Sequence, residues 1–212
     1  MTEILLIRHG ETFWNQEHRM QGQHDSPLTP LGLQQARCLA ARLKQVTFSA
    51  LYSSDLGRAH QTARCIADVT GHEVITDVSL RERSFGIFEG LTNREIEARY
   101  PEAYEHFAAR EPHFVMERGE SASQFRNRCV SGLEKIAQRH PEQTIAVVSH
   151  GLVLDAVYRT ACDMALETPR GFPLLNCSVN TFRYASGWTV VSVGDVTHLA
   201  DENVTRFSDS NV

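Results

Sequence analysis

The stretch Leu6-Ile7-Arg8-His9-Gly10-Glu11-Thr12 lies near the start of the sequence, where a short apolar run ends at a cation, an imidazole and a glycine. The run begins at Ile4 without polar interruption, which is typical of a strand covered on both faces in a largely parallel sheet. Ligands bind beyond the carboxyl ends of such strands. The pattern therefore predicts that His9 is presented at a ligand-binding edge.

A second stretch repeats this order of apolar strand, histidine and glycine. The run 144–149 is the clearest buried strand in the sequence, and His150-Gly151 follows it directly. Arg58 falls in the first turn of a predicted helix, where unpaired N–H groups and the positive end of the helix dipole attract anions. Glycine after each histidine permits close backbone approach to a ligand. Together with Arg8, these residues predict an anion-binding site.

Strand and helix patterns alternate along the rest of the chain. Further strands are predicted at 50–53, 73–76, 178–184 and 188–193, the last two as a hairpin. Helices are predicted from Thr29-Pro30 to Leu43, from a Ser54-Asp55 cap to Gly71, at 92–110 with a break around Pro101, at 121–140 and at 152–162; loops are predicted at 13–28 and 80–90. This alternation predicts an α/β fold: a single three-layer domain, residues 1–200, with a mostly parallel sheet and helices on both faces. The polar residues 201–212 are predicted to form a loose tail.

Composition excludes several classes of protein. Of 212 residues, 42% are apolar and 22% are charged, and the net charge is −5 without a Lys/Arg cluster, so we expect no nucleic-acid partner. No apolar stretch approaches the roughly 20 residues of a membrane span, and no signal peptide is evident, so we expect no membrane partner. The five cysteines are odd in number and widely spaced, which favours reduced thiols and a cytoplasmic location.

Several motifs follow one another in the order of a known family. The N-terminal motif consists of Leu6-Ile7-Arg8-His9-Gly10-Glu11-Thr12 with Trp14-Asn15, Gln21-Gly22, Asp25-Ser26-Pro27-Leu28-Thr29 and Gly32. The later motifs are Ser53-Ser54-Asp55-Leu56-Gly57-Arg58-Ala59 with Thr62-Ala63, Leu80-Arg81-Glu82 with Gly86 and Glu89-Gly90, Gly119-Glu120-Ser121, and Val148-Ser149-His150-Gly151. From about Ile4 to Leu199, the chain resembles the histidine phosphatase superfamily in its phosphoglycerate mutase-like branch (branch 1).

The resemblance implies a phosphoglycerate mutase-like fold, a histidine phosphatase domain over residues 1–200, and a covalent phosphohistidine mechanism. It implies that His9 is the nucleophile and that Glu82 is the proton donor. The phosphoryl oxygens would be bound by Arg8, Arg58 and His150, with help from Asn15. Further phosphate- or substrate-binding positions in the motifs are Thr12, Gln21, Gly22 and Gly151.

These residue types also suit phosphoryl transfer on chemical grounds. A phosphoryl group in transfer spreads negative charge over three oxygens, so the protein must align it and supply fixed positive partners. The planar guanidiniums of Arg8 and Arg58 provide such partners, and they disfavour a protonated His9, which must attack as neutral imidazole. Glu82 could protonate the leaving alkoxide and then take a proton from the water that hydrolyses phosphohistidine.

Each of these assignments has an alternative. Any single arginine could be a surface cation, and Arg81 or Arg83 could simply pair with Glu82. Glu11, Glu89 and Glu120 also lie near motif positions, and spacing does not choose among the four carboxylates. The ten histidines form no recognisable zinc spacing with cysteine or carboxylate, so we expect no metal, and there is no phosphate-binding Gly-rich loop with its lysine.

The sequence favours a phosphatase without a cofactor that acts on a small phosphorylated metabolite. The segment Arg81-Glu82-Arg83-Ser84-Phe85-Gly86 departs from the Glu-Arg-His-Tyr-Gly pattern of typical cofactor-dependent phosphoglycerate mutases, and the chain looks short of their extra segment. A mutase, which would need a bisphosphoglycerate primer, is the second hypothesis. An inactive module that binds phosphate esters is the third, although an intact set of His9, Glu82 and His150 argues against it.

The sequence constrains less strongly the part of the substrate beyond its phosphate group, and the oligomeric state. Phosphoglycerate- or phosphoserine-like acids and sugar phosphates are the candidate substrates, because arginines near the predicted rim could bind a carboxylate. Those arginines are Arg99, Arg110, Arg118 and Arg170. They could equally well be solvent-exposed residues on the polar face of a helix or loop, without a role in binding. The hairpin edge at 178–193 could pair with a second copy in a homodimer.

Overall fold

The computed structural model describes residues 1–200, which form a six-stranded sheet with helices on both faces. The strands are β1 (Thr2–Arg8), β2 (Leu51–Ser53), β3 (Val74–Thr76), β4 (Thr144–Ser149), β5 (Val179–Tyr184) and β6 (Trp188–Asp195). The α-helices are α1 (Phe13–Gln16), α2 (Pro30–Leu43), α3 (Gly57–Thr70), α4 (Asn93–Arg99), α5 (Pro101–Ala108), α6 (Ala122–Gln138) and α7 (Gly151–Ala161). The polar tail predicted at 201–212 lies outside the described residues.

Strand β1 lies inside the sheet, whose order is β3-β2-β4-β1-β5-β6. The first four strands in this order run parallel to one another, and β5 is antiparallel to both of its neighbours, β1 and β6. Ile4 and Leu6 belong to one core cluster, whereas Leu5 and Ile7 belong to the other. A continuous apolar run is thus buried because both faces of the sheet are covered, as the sequence predicted. The α/β fold with a mostly parallel sheet is confirmed.

Helices cover each face of the sheet with an apolar stripe. Leu133 of α6 and Val157 of α7 pack in one cluster, and Leu39 of α2 and Ile66 of α3 pack in the other. A third cluster, centred on the buried Phe88, is covered by α4 and α5. The short helices α4 and α5 therefore lie over the loops that follow β3, rather than over the sheet itself.

Local capping explains most helix boundaries. The Thr29 hydroxyl caps α2 with Pro30 at its first position, and Ser121 forms the predicted capping box of α6. Two expectations were wrong. Helix α3 has Leu56 at its N-cap without a side-chain hydrogen bond, so Ser54-Asp55 does not cap it. The predicted loop 13–28 contains α1, because Thr12 and Asn15 form a capping box at its start.

Two further findings concern the whole of the described chain. Among the helices of residues 1–200, none is long and apolar enough to cross a membrane. All five cysteines are free thiols. The odd, widely spaced cysteines therefore do not form a disulfide framework.

Candidate active site

The two histidines that follow apolar strands lie side by side. Strands β1 and β4 are parallel neighbours with Arg8 in register with Ser149, and the His9 N–H donates to the Ser149 carbonyl at 3.0 Å. The ring centroids of His9 and His150 are 5.3 Å apart. Both rings are buried. The parallel register thus brings two residues that are distant in sequence to one edge of the sheet.

Hydrogen bonds on both ring nitrogens fix the protonation of His9. Its Nδ1 lies 2.7 Å from the Gly10 carbonyl, which can only accept, so Nδ1 carries the hydrogen. The Nε of Arg58, which can only donate, lies 3.3 Å from Nε2. Burial, followed by the charges of Arg58 and Arg8, holds the pKa of His9 well below its usual value. His9 is therefore a neutral imidazole with a lone pair on Nε2.

Arg58 is held by the loop that precedes α2. Its guanidinium donates to the carbonyls of Gly22, at 2.7 Å, and His24, at 2.8 Å, and it lies 3.2 Å from Asp25 Oδ1. The side chain is only 1% exposed. Arg58 is the second residue of α3 and so lies in the first turn of a helix, as the sequence predicted, and this position brings its Nε within 3.3 Å of His9 Nε2. This network leaves the guanidinium little freedom to turn away from the histidine.

Arg8 supplies a second buried guanidinium. Its Nη1 donates to the Leu174 carbonyl, in the segment that leads to β5. Its charge lowers the pKa of both His9 and His150. Arg8 and Arg58 both line one cavity of about 240 Å³ together with His9. Two cations and a neutral imidazole thus share one enclosed space, which suits a dianionic phosphate ester.

His150 is held through the opposite ring nitrogen. Its Nε2 lies 2.8 Å from the Ser54 hydroxyl, which also receives the Leu56 N–H at 3.3 Å. Burial, and then the charge of Arg58, holds the pKa of His150 well below its usual value. Nδ1 is buried and has no hydrogen-bond partner among the described residues. When Ser54 donates its hydrogen to Nε2, neutral His150 carries a hydrogen on Nδ1. His150 is fully buried and is not itself part of the cavity wall, whereas its ring neighbour His9 and the following Gly151 are.

Glu82 lies on the wall of the same cavity. Its Oε1 accepts the Arg83 N–H at 2.9 Å, and its Oε2 accepts the Leu152 N–H at 3.2 Å. Burial raises the pKa of Glu82 above its usual value, although both hydrogen bonds and the nearby arginines act in the other direction. A raised pKa keeps more of the acid form near neutral pH. Glu82 can therefore donate a proton to a leaving group in this cavity.

The geometry distinguishes Glu82 from the other three carboxylates. Glu11 accepts hydrogen bonds from Gln16 and Thr29, and Glu120 pairs with Arg128 at 2.7 Å. Glu89 binds backbone N–H groups of the neighbouring loops. None of these three lines the cavity that contains His9. They hold the surrounding loops instead.

The predicted substrate-binding positions divide into two groups. The cavity wall includes Asn15, Gln21, Gly22 and Gly151. Thr12 is fully buried and is not part of the cavity wall. Its hydroxyl forms hydrogen bonds with Asn15 in the capping box of α1. Its hydroxyl therefore orients Asn15, and its contact with substrate stays a prediction.

Sequence reasoning missed several residues that support the site. Thr62 Oγ accepts the Gly10 N–H at 3.1 Å, and Asn176 Nδ2 donates to the His9 carbonyl at 3.1 Å. The motifs contained Thr62 and Ser54 without indicating what they contact. Asn176 lies in an irregular segment far along the chain, and nothing in the local sequence marked it. Within residues 1–200, no group of three His, Cys, Asp or Glu side chains is arranged to hold a metal ion.

Comparisons with known proteins show which family the chain resembles. The family model described as "histidine phosphatase superfamily (branch 1)" matches residues 4–196. The chain is 41% identical over 204 residues to "phosphoglycerate mutase-like protein 4" of Arabidopsis thaliana, covering 94% of this chain and 87% of that protein. The structure of YhfR from Bacillus stearothermophilus has a TM-score of 0.86 at 37% identity, with 93% and 99% of the two chains covered. Phosphoserine phosphatase of Entamoeba histolytica, solved with 3-phosphoglyceric acid, has a TM-score of 0.83 at 32% identity, with 94% and 100% covered.

Proposed function

Because this chain belongs to branch 1 of the histidine phosphatase superfamily, we propose that it hydrolyses phosphate monoesters of small phosphorylated metabolites through a covalent phosphohistidine on His9. The observation that carries the proposal is the state of the His9 ring. It is neutral, its Nε2 lone pair meets Arg58, and it lines a cavity with two buried guanidiniums. A nucleophile and the positive charge that its reaction needs are therefore already assembled.

The first chemical step uses both the lone pair of His9 and the proton of Glu82. Nε2 forms a bond to phosphorus while the bond from phosphorus to the ester oxygen breaks, and the Glu82 carboxyl protonates the departing alkoxide. Arg8 and Arg58 bind the equatorial oxygens, and His150 donates from Nδ1. These fixed donors stabilise the charge that spreads over the oxygens during transfer.

The second step returns the enzyme to its starting state. Glu82, now a carboxylate, accepts a proton from a water molecule, and the oxygen of that water forms a bond to phosphorus as the bond from Nε2 to phosphorus breaks. Phosphate leaves, and Glu82 is again protonated. Asn15, Gln21, Gly22 and Gly151 line the remaining wall and would contact the bound ester.

The proposed substrates are phosphoglycerate- or phosphoserine-like acids, or sugar phosphates. The phosphoserine phosphatase of similar structure, solved with 3-phosphoglyceric acid, supports the first two. The second candidate function is a phosphoglycerate mutase, favoured by the name of the Arabidopsis relative. A mutase would need a bisphosphoglycerate primer and a site that excludes water. The segment Arg81-Glu82-Arg83-Ser84-Phe85-Gly86 favours the hydrolase.

Three further proposals complete this function. The mechanism uses no metal ion or other cofactor, because the guanidiniums of Arg8 and Arg58 supply the positive charge and neutral His150 supplies a hydrogen-bond donor. Five free thiols favour the cytoplasm. Strand β6 lies at one edge of the sheet, which supports a homodimer formed by pairing of that edge.

The test measures turnover and the covalent intermediate together. The purified protein is incubated with p-nitrophenyl phosphate and with 3-phosphoglycerate, and phosphate release and isomerisation are both followed. We expect phosphate release, and an acid-labile, alkali-stable phosphoenzyme in quenched samples. His9→Ala should lose both signals, whereas His113→Ala, which removes an exposed histidine outside the cavity, should retain them. Phosphate release by His9→Ala would contradict the mechanism, isomerisation without release would favour the mutase, and ester binding without turnover would favour an inactive module.

A further inference from the structure

The position of the proton donor indicates where the alcohol portion of the substrate lies. In the proposed function the leaving oxygen lies beside the Glu82 carboxyl, which is anchored to the N–H groups of Arg83 and Leu152. Both of these residues also line a second cavity, of about 480 Å³. Asn93 and Leu152 belong to the walls of both cavities. A group that leaves through Glu82 therefore starts at the boundary between the two.

We propose that this second cavity, enclosed by α5, α6, α7 and the segment 166–170, binds the alcohol portion of the substrate and selects phosphate monoesters whose alcohol carries an apolar body and a second anionic group. The inference rests on the proposed phosphatase function and makes its substrate class more specific. The second cavity has twice the volume of the first, which is about 240 Å³. A three-carbon alcohol would leave it unfilled.

Aromatic side chains make part of the wall suitable for an apolar body. Phe107, Phe114 and Phe125 all line the cavity, with Tyr104 beside them. Phe125 is buried, and Phe107 packs edge to face against Phe88 at 5.7 Å between ring centroids. Rings held in this way lose little conformational freedom when an apolar or aryl group packs against them. This wall favours an apolar body over a fully polar one.

Cationic side chains make the rest of the wall suitable for an anion. Arg83, Arg110, Arg126 and Arg170 line the cavity, as do the carboxylates Asp155 and Glu111. Asp155 is paired with Arg159 at 2.7 Å, so these two charges offset each other. The other four arginines outnumber the one remaining carboxylate, Glu111, so this part of the wall has a net positive charge.

Arg83 is the best-defined cation of this wall. It is only 8% exposed, and within residues 1–200 its guanidinium has no carboxylate within ion-pair distance. Its Nε donates to the Glu120 carbonyl at 3.0 Å, and its guanidinium lies 5.4 Å from the centroid of the Phe85 ring. Burial lowers the pKa of Arg83 to about 10, and the nearby charges of Glu120 and Glu82, which act in the other direction, offset only part of this effect. A buried cation without a carboxylate partner is costly, and an anionic ligand group at this position would offset that cost.

A matched pair of substrates tests both features of the ligand. The two esters are 4-ethylphenyl phosphate and 3-(4-phosphonooxyphenyl)propanoate, which share an aryl body and differ by a carboxylate. We expect kcat/KM to be at least about tenfold higher for the carboxylated ester, a difference of roughly 1.4 kcal/mol. The ratio of the two kcat/KM values should fall towards one in Arg83→Gln and in Arg126→Gln. Arg37→Gln, an exposed cation of α2 outside both walls, is the control and should keep the ratio.

A cavity-filling variant tests the apolar body separately. Ala122→Trp, on the wall of the second cavity, should lower kcat/KM for either aryl ester relative to 3-phosphoglycerate at least about tenfold. Arg126 is partly exposed, so Arg126→Gln keeps the charge test available if Arg83→Gln fails to fold. Turnover without preference for the carboxylated ester, or an unchanged ratio in folded Arg126→Gln, overturns the inference and leaves the phosphatase function intact. Failure to hydrolyse any of the esters contradicts the proposed function itself.

Discussion

The ends of β1 and β4 share one sequence pattern and differ in chemistry. Each strand is an apolar run followed by histidine and glycine, yet His9 is fixed through Nδ1 by the Gly10 carbonyl, and His150 is fixed through Nε2 by the Ser54 hydroxyl. The second ring nitrogen, which is not held by this partner, is therefore Nε2 in His9 and Nδ1 in His150. His9 has a lone pair on Nε2, which suits attack, whereas His150 can carry a hydrogen on Nδ1, which suits binding of an oxygen. The partner of each ring, rather than the strand pattern, decides its part in the reaction.

The two glycines differ in the same way. A Cβ at Gly10 would lie 2.5 Å from the Gly32 carbonyl oxygen, so this glycine allows the start of α2 to approach β1. A Cβ at Gly151 would instead meet Leu174 Cδ1 at 3.1 Å and Arg8 Nε at 3.6 Å. The sequence predicted that both glycines open space beside a ligand. That prediction was wrong for Gly10, which is required for packing.

Removing each imidazole in turn should give the largest losses of activity and should show whether the two histidines have different roles. We expect His9→Asn to lower kcat/KM by at least about 10,000-fold, because no other group can form the covalent intermediate. We expect His150→Asn to cost about 100- to 1,000-fold, the usual effect of losing one donor to a charged oxygen. Phosphate-release kinetics and quench-flow trapping measure both. Equal losses in the two variants, with the phosphoenzyme still formed in His9→Asn, would contradict the assignment of nucleophile to His9 and of oxyanion donor to His150.

Glu82, the proposed proton donor, lies next to the end of β4, because Leu152 follows Gly151 in α7 and its N–H donates to the Glu82 carboxylate. The pKa of Glu82 is raised, so the acid form persists to higher pH than in an ordinary glutamic acid, and kcat/KM for alkyl esters should fall as pH rises through that pKa. Because the pKa of His9 is lowered, the acidic limb should have its midpoint below 6.5. Glu82→Gln should cost about 100-fold with alkyl esters and remove the alkaline limb.

Leaving-group chemistry supplies the control for this prediction. The p-nitrophenolate ion leaves without a proton, so Glu82→Gln should slow its release from the enzyme far less than the release of an alkyl alcohol. The pH profiles of both esters in wild type and variant make the comparison. An alkaline limb retained in Glu82→Gln would show that another group supplies the proton.

The hydrogen bond from Ser54 determines which nitrogen of His150 carries the hydrogen. A substitution at Ser54 therefore tests the tautomer of His150 without removing either ring. Ser54→Ala should lower kcat/KM by about tenfold, because the imidazole loses the partner that fixes its tautomer. In NMR spectra of the histidine nitrogens, the wild type should show His150 with its hydrogen on Nδ1, and Ser54→Ala should show a mixture. Ser54→Thr, which keeps the hydroxyl, should retain much of the activity. A wild-type spectrum with the hydrogen on Nε2 would contradict the assignment.

These details show which parts of the molecule a sequence can predict. The edge that joins His9 and His150 was predictable because parallel strands end on one side of a sheet, and Arg58 was predictable from its place in the first turn of a helix. The hydrogen-bond partners were not, because Ser54 reads equally well as a helix cap and Asn176 approaches His9 only through the tertiary fold. The choice among four carboxylates likewise depended on which one faces the cavity. Local patterns therefore located the candidate site, and tertiary contacts distinguish the roles that we propose for its residues.

The smallest expected effects come from adding one methyl group to each glycine. Gly10→Ala must push the backbone of Gly32 away, so we expect a loss of about 1–3 kcal/mol in the free energy of unfolding and a Tm lower by at least about 3 °C. In Gly151→Ala the three atoms nearest to the added methyl group are side-chain atoms, Leu174 Cδ1 and Cβ and Arg8 Nε, rather than backbone atoms. Its Tm should stay close to that of the wild type, while KM rises about two- to fivefold because the added methyl group narrows the oxyanion site. Thermal unfolding and steady-state kinetics on the pair measure the two effects separately. If Gly10→Ala raised KM at unchanged Tm, both glycines would border the ligand, and the contrast between the two strand ends would be limited to their histidines.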